Sequence, residues 1–254
     1  MKLNYKVQGS GETLVFIHGL ADSLEYWQPV TDILKEDYQI VTYDLRGHGL
    51  AQDYNEITME TYIEDLLAIL NELNLKKVNL IGLSLGGAIA QKFTLKYPEK
   101  VSSLMLLSTF YKCDEYLTKI FNKLKNSLNN SFEEFYDSIL PMSLCPNIIE
   151  DNKEELEISK KELSKTANLD AYIKAVDVCL AFNDEDQLHE INVPTLVIAG
   201  KYDTLTLLST QEALQEKINN SELIVLDNIR HNLLIGETVN ELITIIRDFN
   251  RGIS

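Results

Sequence analysis

The sequence predicts an α/β fold: a mostly parallel, twisted sheet with helices on both faces and a helical lid inserted into it. Short apolar runs alternate with segments of helical periodicity, and this pattern is typical of β–α–β units in a parallel sheet. The alternation stops over residues 110–190, where only amphipathic helical stretches occur, and resumes after Pro194. We therefore predict a core made of residues 1–109 and 191–254, with residues 110–190 as the lid.

Strands buried on both faces of a sheet read as uninterrupted apolar runs. Such runs lie at residues 14–17, 40–43, 78–83, 104–107, 195–199 and 223–226. A weaker alternation over residues 3–7, followed by a Gly-Ser-Gly turn, predicts an edge strand. These runs supply the strands of the predicted sheet.

Apolar residues at helical spacing predict the helices between the strands and in the lid. In the core they cover residues 26–34, a helix capped by Thr58, a helix that follows residue 87 and ends at Pro98, and residues 209–218 and 239–249. In the lid they cover residues 117–128, 132–139 (ending at Pro141), 153–165 and 169–180.

The composition, the net charge and the N-terminal residues argue against several classes of protein. The chain has 254 residues and a formal net charge of −16, which disfavours binding to nucleic acid or to an anionic membrane surface. Its three cysteines have neither metal-like spacing nor the pattern of a disulfide framework. The N-terminal residues lack the apolar region of a signal peptide, and no apolar run is long enough to span a membrane. We expect a cytoplasmic monomer or homodimer.

The chemistry is centred on residues 82–87, Gly-Leu-Ser-Leu-Gly-Gly, between a predicted strand and a predicted helix. A strand–turn–helix with Ser84 at its apex is the context of a nucleophile elbow. Gly82 and Gly86 stand two residues either side of Ser84, where the chain crowds its own backbone and only small residues fit. Ser84 is therefore the candidate nucleophile.

A serine nucleophile needs a base, and the chain offers four histidines. His231 follows the last predicted strand at the carboxyl edge of the sheet, so it is the candidate base. The other three fit plainer roles: His189 as a surface residue, His48 as a loop-ordering residue and His18 as a residue that positions a loop.

The base needs an acid to fix its tautomer, and two aspartates could supply it. Asp203 stands just past the carboxyl end of the strand before the last, and Asp114 is the runner-up because it follows the strand that ends near Ser108. With Asp203, the chain order is Ser, Asp, His, which is the order found in α/β-hydrolases.

Attack on a carbonyl creates an oxyanion, which two backbone N–H groups can stabilise. One is expected from Leu85, the residue after the nucleophile. The other is expected from Leu20, in the loop that follows the first buried strand, where Gly19 lets the chain turn.

On these residues the chain resembles the α/β-hydrolase superfamily, in the lidded single-domain group of serine carboxylesterases, enol-lactone hydrolases and carbon–carbon bond hydrolases. The motifs that carry the resemblance are His18-Gly19 with Trp27 downstream, Asp44-x-Arg46-Gly47-His48-Gly49, Gly82-x-Ser84-x-Gly86-Gly87, Pro194-Thr195-Leu196-Val197-x-x-Gly200-x-x-Asp203, and His231. The resemblance implies that Ser84, Asp203 and His231 form the triad and that the N–H groups of Leu20 and Leu85 form the oxyanion hole.

Three local features depart from the pattern of that superfamily. Leu83 stands where relatives usually have His or Gln, residues 228–230 replace a common Gly-x-Gly before the histidine, and the usual Ser is missing after Gly49. These differences affect the pockets rather than the triad. A serine nucleophile argues against the dehalogenase and epoxide-hydrolase branches. No cofactor and no metal are implied.

The predicted reaction is hydrolysis of an ester, thioester or lactone of a small, largely apolar molecule through an acyl-serine. The expected pocket walls are Trp27, Phe110, Tyr111, Tyr202 and Leu205, with a share of the apolar lid residues Phe121, Leu124, Phe132, Tyr136, Tyr172 and Val176. Two alternatives stay open: a receptor-like protein that hydrolyses its ligand slowly, and carbon–carbon bond cleavage or perhydrolysis on the same triad.

Overall fold

A computed structural model describes residues 3–52 and 54–253. Met1, Lys2, Asp53 and Ser254, which the predicted core ranges include, lie outside the described residues. Seven strands form one sheet in the order β1-β3-β2-β4-β5-β6-β7. Their bounds are β1 Tyr5–Gln8, β2 Thr13–Ile17, β3 Gln39–Tyr43, β4 Val78–Leu83, β5 Val101–Leu107, β6 Thr195–Gly200 and β7 Ser221–Leu226. Among the strands of residues 3–52 and 54–253, β1 alone runs antiparallel to its neighbour, β3.

All seven predicted strands are confirmed, and so is the mostly parallel sheet. The side chains of β2 alternate between its two faces: Leu14 and Phe16 enter one apolar core, while Val15 and Ile17 enter the other. A strand buried on both faces carries mostly apolar residues on each, which is why it reads as a nearly continuous apolar run.

Helices cover both faces of the sheet. The helices of the core are α1 Gln28–Leu34, α2 Met59–Glu72, α3 Leu85–Lys96, α9 Leu208–Lys217 and α10 Thr238–Ile253. Side chains of α1 and α10 pack in one core, and those of α2, α3 and α9 pack in the other. Thr58 caps α2 as predicted: its hydroxyl accepts the N–H of Thr61, and the Thr61 hydroxyl accepts the N–H of Thr58.

Five helices lie between β5 and β6, in the segment predicted as a lid. They are α4 Glu115–Asn130, α5 Phe132–Ser143, α6 Pro146–Asp151, α7 Lys153–Ser164 and α8 Leu169–Ala181. We call α4–α8 the inserted helices. No strand longer than a single bridge, between Lys112 and Asn183, lies in the described part of residues 110–190.

Two details of the inserted helices differ from the prediction. The helix expected to end at Pro141 continues to Ser143, and α6 was not predicted. Pro141 lies in the last turn of α5, where its missing N–H removes one hydrogen bond. Leu144 N–H still donates to the carbonyl of Leu140 at 3.0 Å, so the helix continues past the proline.

The strand order reverses between β2 and β4. After β2 the chain moves to β3 on one side, and then crosses through α2 to β4 on the other. In open α/β sheets a crevice forms at such a switch point, outside the carboxyl ends of the strands. The loop after β2 and the turn after β4 both open into this crevice.

Candidate active site

Ser84 lies at the tip of the turn between β4 and α3. Its φ of 52° and ψ of −117° fall outside the regions that L-residues ordinarily occupy. Two glycines allow this turn: a Cβ on Gly82 would overlap the carbonyl of Gly86, and a Cβ on Gly86 would overlap the carbonyls of Ile17 and His18. The sequence therefore holds a strained serine where a ligand in the crevice can reach it.

Hydrogen bonds with β5 and with the loop after it hold the strained turn in place. Ser84 N–H donates to Leu107 O at 3.0 Å, and the Thr109 hydroxyl donates to Ser84 O at 2.6 Å. The side-chain amide of Gln211 in turn pairs with both the N–H and the carbonyl of Thr109. Because all of these groups are buried, the turn is fixed by hydrogen bonds that water cannot replace.

Asp203 and His231 form a buried pair beside Ser84. His231 Nδ1 lies 2.8 Å from Asp203 Oδ2. Three further donors fix the carboxylate: the N–H groups of Leu205 (2.7 Å) and Thr206 (3.0 Å) on Oδ1, and the Thr206 hydroxyl (2.8 Å) on Oδ2. A carboxylate can only accept, so Nδ1 of His231 carries the proton and Nε2 is left as the acceptor.

Ser84 and His231 line one cavity of about 260 Å³. Among the described residues no hydrogen bond joins the Ser84 hydroxyl to the His231 ring, and in a site without substrate such bonds are often long or absent. The loop after β2 and Leu205 complete the wall on the side of the sheet. Apolar side chains of the inserted helices form the opposite wall: Phe121, Leu124, Phe132, Phe135, Tyr136, Ile139, Leu140, Leu144, Leu156 and Leu163.

The N–H groups of Leu20 and Leu85, the two predicted oxyanion donors, have no acceptor in the surrounding helix or loop backbone of the described residues. Leu85 is the first residue of α3, so its N–H has no acceptor within the helix. Leu20 N–H has no backbone acceptor among the described residues, and Leu20 lines the cavity. Gly19 brings this loop against Ser84, because a Cβ on Gly19 would lie 3.5 Å from Ser84 Cβ.

The inserted helices are tied to both loops that carry the buried pair. Tyr116 OH donates to the carbonyl of Thr204, next to Asp203. On the other loop, Arg230 donates to Pro141 O, and Asn232 N–H donates to Ser143 O at 3.0 Å. The last turn of α5 therefore rests directly on the two neighbours of His231.

The remaining histidines have no comparable position. His18 is fully buried, with Nδ1 2.8 Å from Gly19 O and Nε2 accepting from Leu45 N–H at 3.0 Å. Burial lowers the pKa of His18 to about 4 and that of His48 to about 3, the second helped by the nearby His18 ring. Both rings are therefore neutral near pH 7 and hold loops, while His189 is exposed.

Asp114, the alternative acid, lies elsewhere in a structural role. Its carboxylate accepts the N–H of Leu117 at 2.9 Å and caps the N-terminus of α4. Asp203 is the aspartate that contacts a histidine on the cavity.

Of the expected wall residues, Leu205 lines the cavity and Trp27 does not. Trp27 is fully buried against Phe16, with ring centroids 5.1 Å apart, in the core between α1 and the sheet. The wall is formed by its neighbour Tyr26, whose hydroxyl donates to Asn232 Oδ1 at 2.9 Å. The prediction that Trp27 lines the cavity is therefore wrong, and the adjacent Tyr26 lines it instead.

Phe110, Tyr111 and Tyr202 also lie off the cavity. Phe110 packs at 5.5 Å from the ring of Phe121 and Tyr111 is buried in the same core, because both side chains turn beneath the inserted helices. Tyr202 faces solvent, with half of its surface exposed. Following a strand end is therefore not enough to place a side chain in the cavity.

Among the lid residues, Phe121, Leu124, Phe132 and Tyr136 line the cavity, whereas Tyr172 and Val176 do not. Sequence reasoning missed Asp22, Tyr26, Thr206 and Asn232. A signal existed for Asp22, since it stands in the same loop as Leu20. For Thr206 the signal was its place three residues after Asp203, on the first turn of the loop that leaves β6.

Within residues 3–52 and 54–253, no group of three or more His, Cys, Asp or Glu side chains is arranged to hold a metal ion. Over the same residues, no helix is long and apolar enough to cross a membrane. The cavity is lined by a strained serine and by a histidine that is paired with a buried aspartate.

A family model described as alpha/beta hydrolase fold matches residues 12–238. The curated relatives include "Putative carbamate hydrolase RutD" of Rhizobium rhizogenes, 28% identical over 246 residues and covering 92% of this chain and 93% of the relative. They also include 3-oxoadipate enol-lactonase 2 of Acinetobacter baylyi, 25% identical over 228 residues, with 89% and 85% covered.

Among solved structures, an alpha/beta hydrolase enzyme from a Medee basin deep-sea metagenome library superposes with a TM-score of 0.90 at 22% identity. The match covers 98% of this chain and 94% of the other. At that identity it supports the fold alone, and it extends over the inserted helices as well as the sheet.

Proposed function

The chain belongs to the alpha/beta hydrolase fold family, and from that premise we propose that it is a serine hydrolase acting on carboxylic esters, thioesters or lactones of small apolar acids. The observation that carries the proposal is the strained Ser84 beside the His231–Asp203 pair on an apolar cavity. Curated relatives named as an enol-lactonase and a carbamate hydrolase support attack on a carbonyl carbon.

In the proposed reaction, His231 Nε2 takes the proton of the Ser84 hydroxyl as its oxygen attacks the carbonyl carbon. Asp203 keeps the other ring nitrogen protonated and stabilises the imidazolium. The N–H groups of Leu20 and Leu85 stabilise the oxyanion. His231 then donates its proton to the departing alcohol oxygen, and a water that it activates releases the acid from Ser84.

We expect hydrolysis of p-nitrophenyl butyrate at turnovers on the order of one per second or faster. A fluorophosphonate should label one site, which peptide mapping should locate at Ser84. Ser84→Ala should abolish both labelling and turnover.

Ser108→Ala is the matched control. Ser108 also ends a strand with a positive φ, of 41°, and its buried hydroxyl has no hydrogen-bond partner among the described residues, yet it does not line the cavity. This variant should keep activity and labelling. A label on another residue, or full activity in Ser84→Ala, would contradict the proposal.

Thr206 is expected to act as a positioning residue. Its hydroxyl donates to the same Asp203 oxygen that His231 contacts, and it lies 3.2 Å from His231 Nδ1. Thr206→Val keeps the shape and removes the donor, so kcat should fall about 10-fold, as expected for one hydrogen bond to a charged group. KM should change little because Thr206 is fully buried behind the pair. Steady-state kinetics should show this division, and Thr206→Ser should restore kcat.

A further inference from the structure

One ionisable side chain on the cavity has no part in the proposed reaction. Asp22 follows Leu20 and Ala21 in the loop after β2, and a Cβ on Gly19 would lie 3.8 Å from Asp22 Oδ2 and 3.5 Å from Ser84 Cβ. The Asp22 carboxylate and Ser84 therefore both lie against Gly19, and both line the same cavity. No hydrogen bond joins it to another described residue.

Asp22 also stands where two cavities meet. The catalytic cavity of about 260 Å³ and a neighbouring cavity of about 540 Å³ are both lined by Ala21, Asp22, Phe132 and Leu163. We call the second one the side cavity. It runs from Asp22 to the exposed residues Glu25, Leu50 and Gln52, so it connects the reaction centre to solvent.

The charges along this route are of one sign. None of the described residues that line either cavity is Lys or Arg. The side cavity adds Glu25 and Asp44, but Asp44 already accepts three hydrogen bonds of 2.7 Å, from Asn4 Nδ2, Leu24 N and Leu50 N. Of the carboxylates on the route, Asp22 and the exposed Glu25 accept no hydrogen bond from a described residue, and Asp22 is the one that also lines the catalytic cavity.

Burial of Asp22 disfavours its charged form. Once the charge has formed, burial also leaves it little screened by solvent. Burial raises the pKa of Asp22 to about 7, and His231 opposes that rise. The phenols of Tyr26 and Tyr172 also face it: burial raises both of their pKa values, and the Asp22 charge adds to the rise. Asp22 is therefore an anion in a confined place once the pH exceeds about 7.

The acyl part and the alcohol part of an ester, here called its acyl arm and alcohol arm, leave the active site at different steps. The acyl arm stays on Ser84 until water attacks it, which suits the apolar wall of the inserted helices. The alcohol arm must leave for solvent, and the side cavity offers that route past Asp22.

We propose that the alcohol arm of the substrate passes Asp22 into the side cavity, and that Asp22 selects uncharged or cationic alcohols against those carrying a carboxylate or phosphate. This inference rests on the proposed function, since it concerns the leaving group of the same reaction. It narrows the substrate to esters of an apolar acid with a neutral or amine-bearing alcohol.

The test uses three butyrate esters that share the acyl arm and differ in the charge of the alcohol: 3-acetylphenyl, 3-carboxyphenyl and 3-(trimethylammonio)phenyl butyrate. At pH 8.5 we expect kcat/KM to be highest for the cationic ester and lowest for the anionic one. Asp22→Asn should reduce the cationic-to-anionic ratio by about 10-fold, the order expected for one charge pair in a confined site.

In the wild type, the cationic-to-anionic ratio of kcat/KM should also depend on pH. The carboxylate and the ammonium of the substrates keep their charge from pH 6 to 8.5. As the pH rises through about 7, Asp22 loses its proton, so the relative kcat/KM of the anionic ester should fall. In Asp22→Asn, the kcat/KM of the anionic ester relative to the other two esters should be independent of pH.

Asp186→Asn is the matched control, because it removes one negative charge at an exposed position that lines neither cavity. It should leave the three esters in their wild-type ratio. If Asp22→Asn changes all three esters equally while a fluorophosphonate still labels Ser84, the charge selection is wrong and the serine hydrolase proposal stands. If Ser84 is not labelled and no ester is cleaved, both are wrong.

Discussion

Replacing Asp203 by asparagine is expected to lower kcat by about 10⁴-fold with little effect on folding. Oδ1 of the residue accepts from the N–H groups of Leu205 and Thr206, so the asparagine oxygen should keep that position. Its NH₂ group would then face His231 Nδ1, where Asp203 Oδ2 now lies at 2.8 Å.

An amide nitrogen is a donor, so it would force Nδ1 of His231 to accept and would move the ring proton to Nε2. A protonated Nε2 cannot take the proton of Ser84, and the nucleophile would stay a weak alcohol. Ester hydrolysis and far-UV circular dichroism, measured on the same sample, should show the loss of rate with the fold retained.

Asp114→Asn is the control for this variant, because it makes the same chemical change at the alternative acid. Asparagine caps a helix as well as aspartate does, so α4 and the activity should both be preserved. A loss of 10³-fold or more in Asp114→Asn, with Asp203→Asn active, would reverse the assignment of the acid.

The sheet could be predicted from sequence because its signal is local. A strand buried on both faces is mostly apolar, as at Leu14–Ile17, and the predicted run matches β2 Thr13–Ile17 to within one residue. The order of such runs then limits how parallel strands can connect. The strained turn that carries Ser84 could be placed for a similar reason, since Gly82 and Gly86 mark a turn that no larger residue allows.

The end of α5 could not be predicted because its last turn depends on distant residues. Pro141 ordinarily ends a helix, but the carbonyls of Pro141 and Ser143 are held by Arg230 and Asn232 from the loop of His231. These partners lie about ninety positions away in the sequence. No window around Pro141 contains that information.

The cavity walls were the least predictable part of the site. Tyr26 and Trp27 are adjacent and chemically alike, yet one lines the cavity and the other is fully buried in the core. The choice depends on the rotation of the short 3₁₀ turn Leu24–Trp27, which one residue of slip would reverse. Asp22 carries an ionisable side chain in the loop predicted after the first buried strand, and such side chains are usually exposed to solvent.

Gly86→Ala should cost about 2–3 kcal/mol of stability and about 10²-fold in kcat. A Cβ on Gly86 would overlap the backbone carbonyls of Ile17 and His18, which cannot rotate away as a side chain could. Relief requires the first turn of α3 and the carboxyl end of β2 to move apart. The loop after β2 carries Leu20, so its N–H would leave the position beside Ser84 at which it is proposed to stabilise the oxyanion.

Gly252→Ala is the comparison for that variant, since Gly252 lies in α10 with nothing within 4 Å of its added Cβ. There the alanine should stabilise the chain by about 0.5–1 kcal/mol and leave kcat unchanged. Urea unfolding and ester hydrolysis on both variants separate the two effects. If Gly86→Ala lost stability but kept kcat, the loop after β2 would have no part in stabilising the oxyanion, because the same movement that relieves the overlap would displace it.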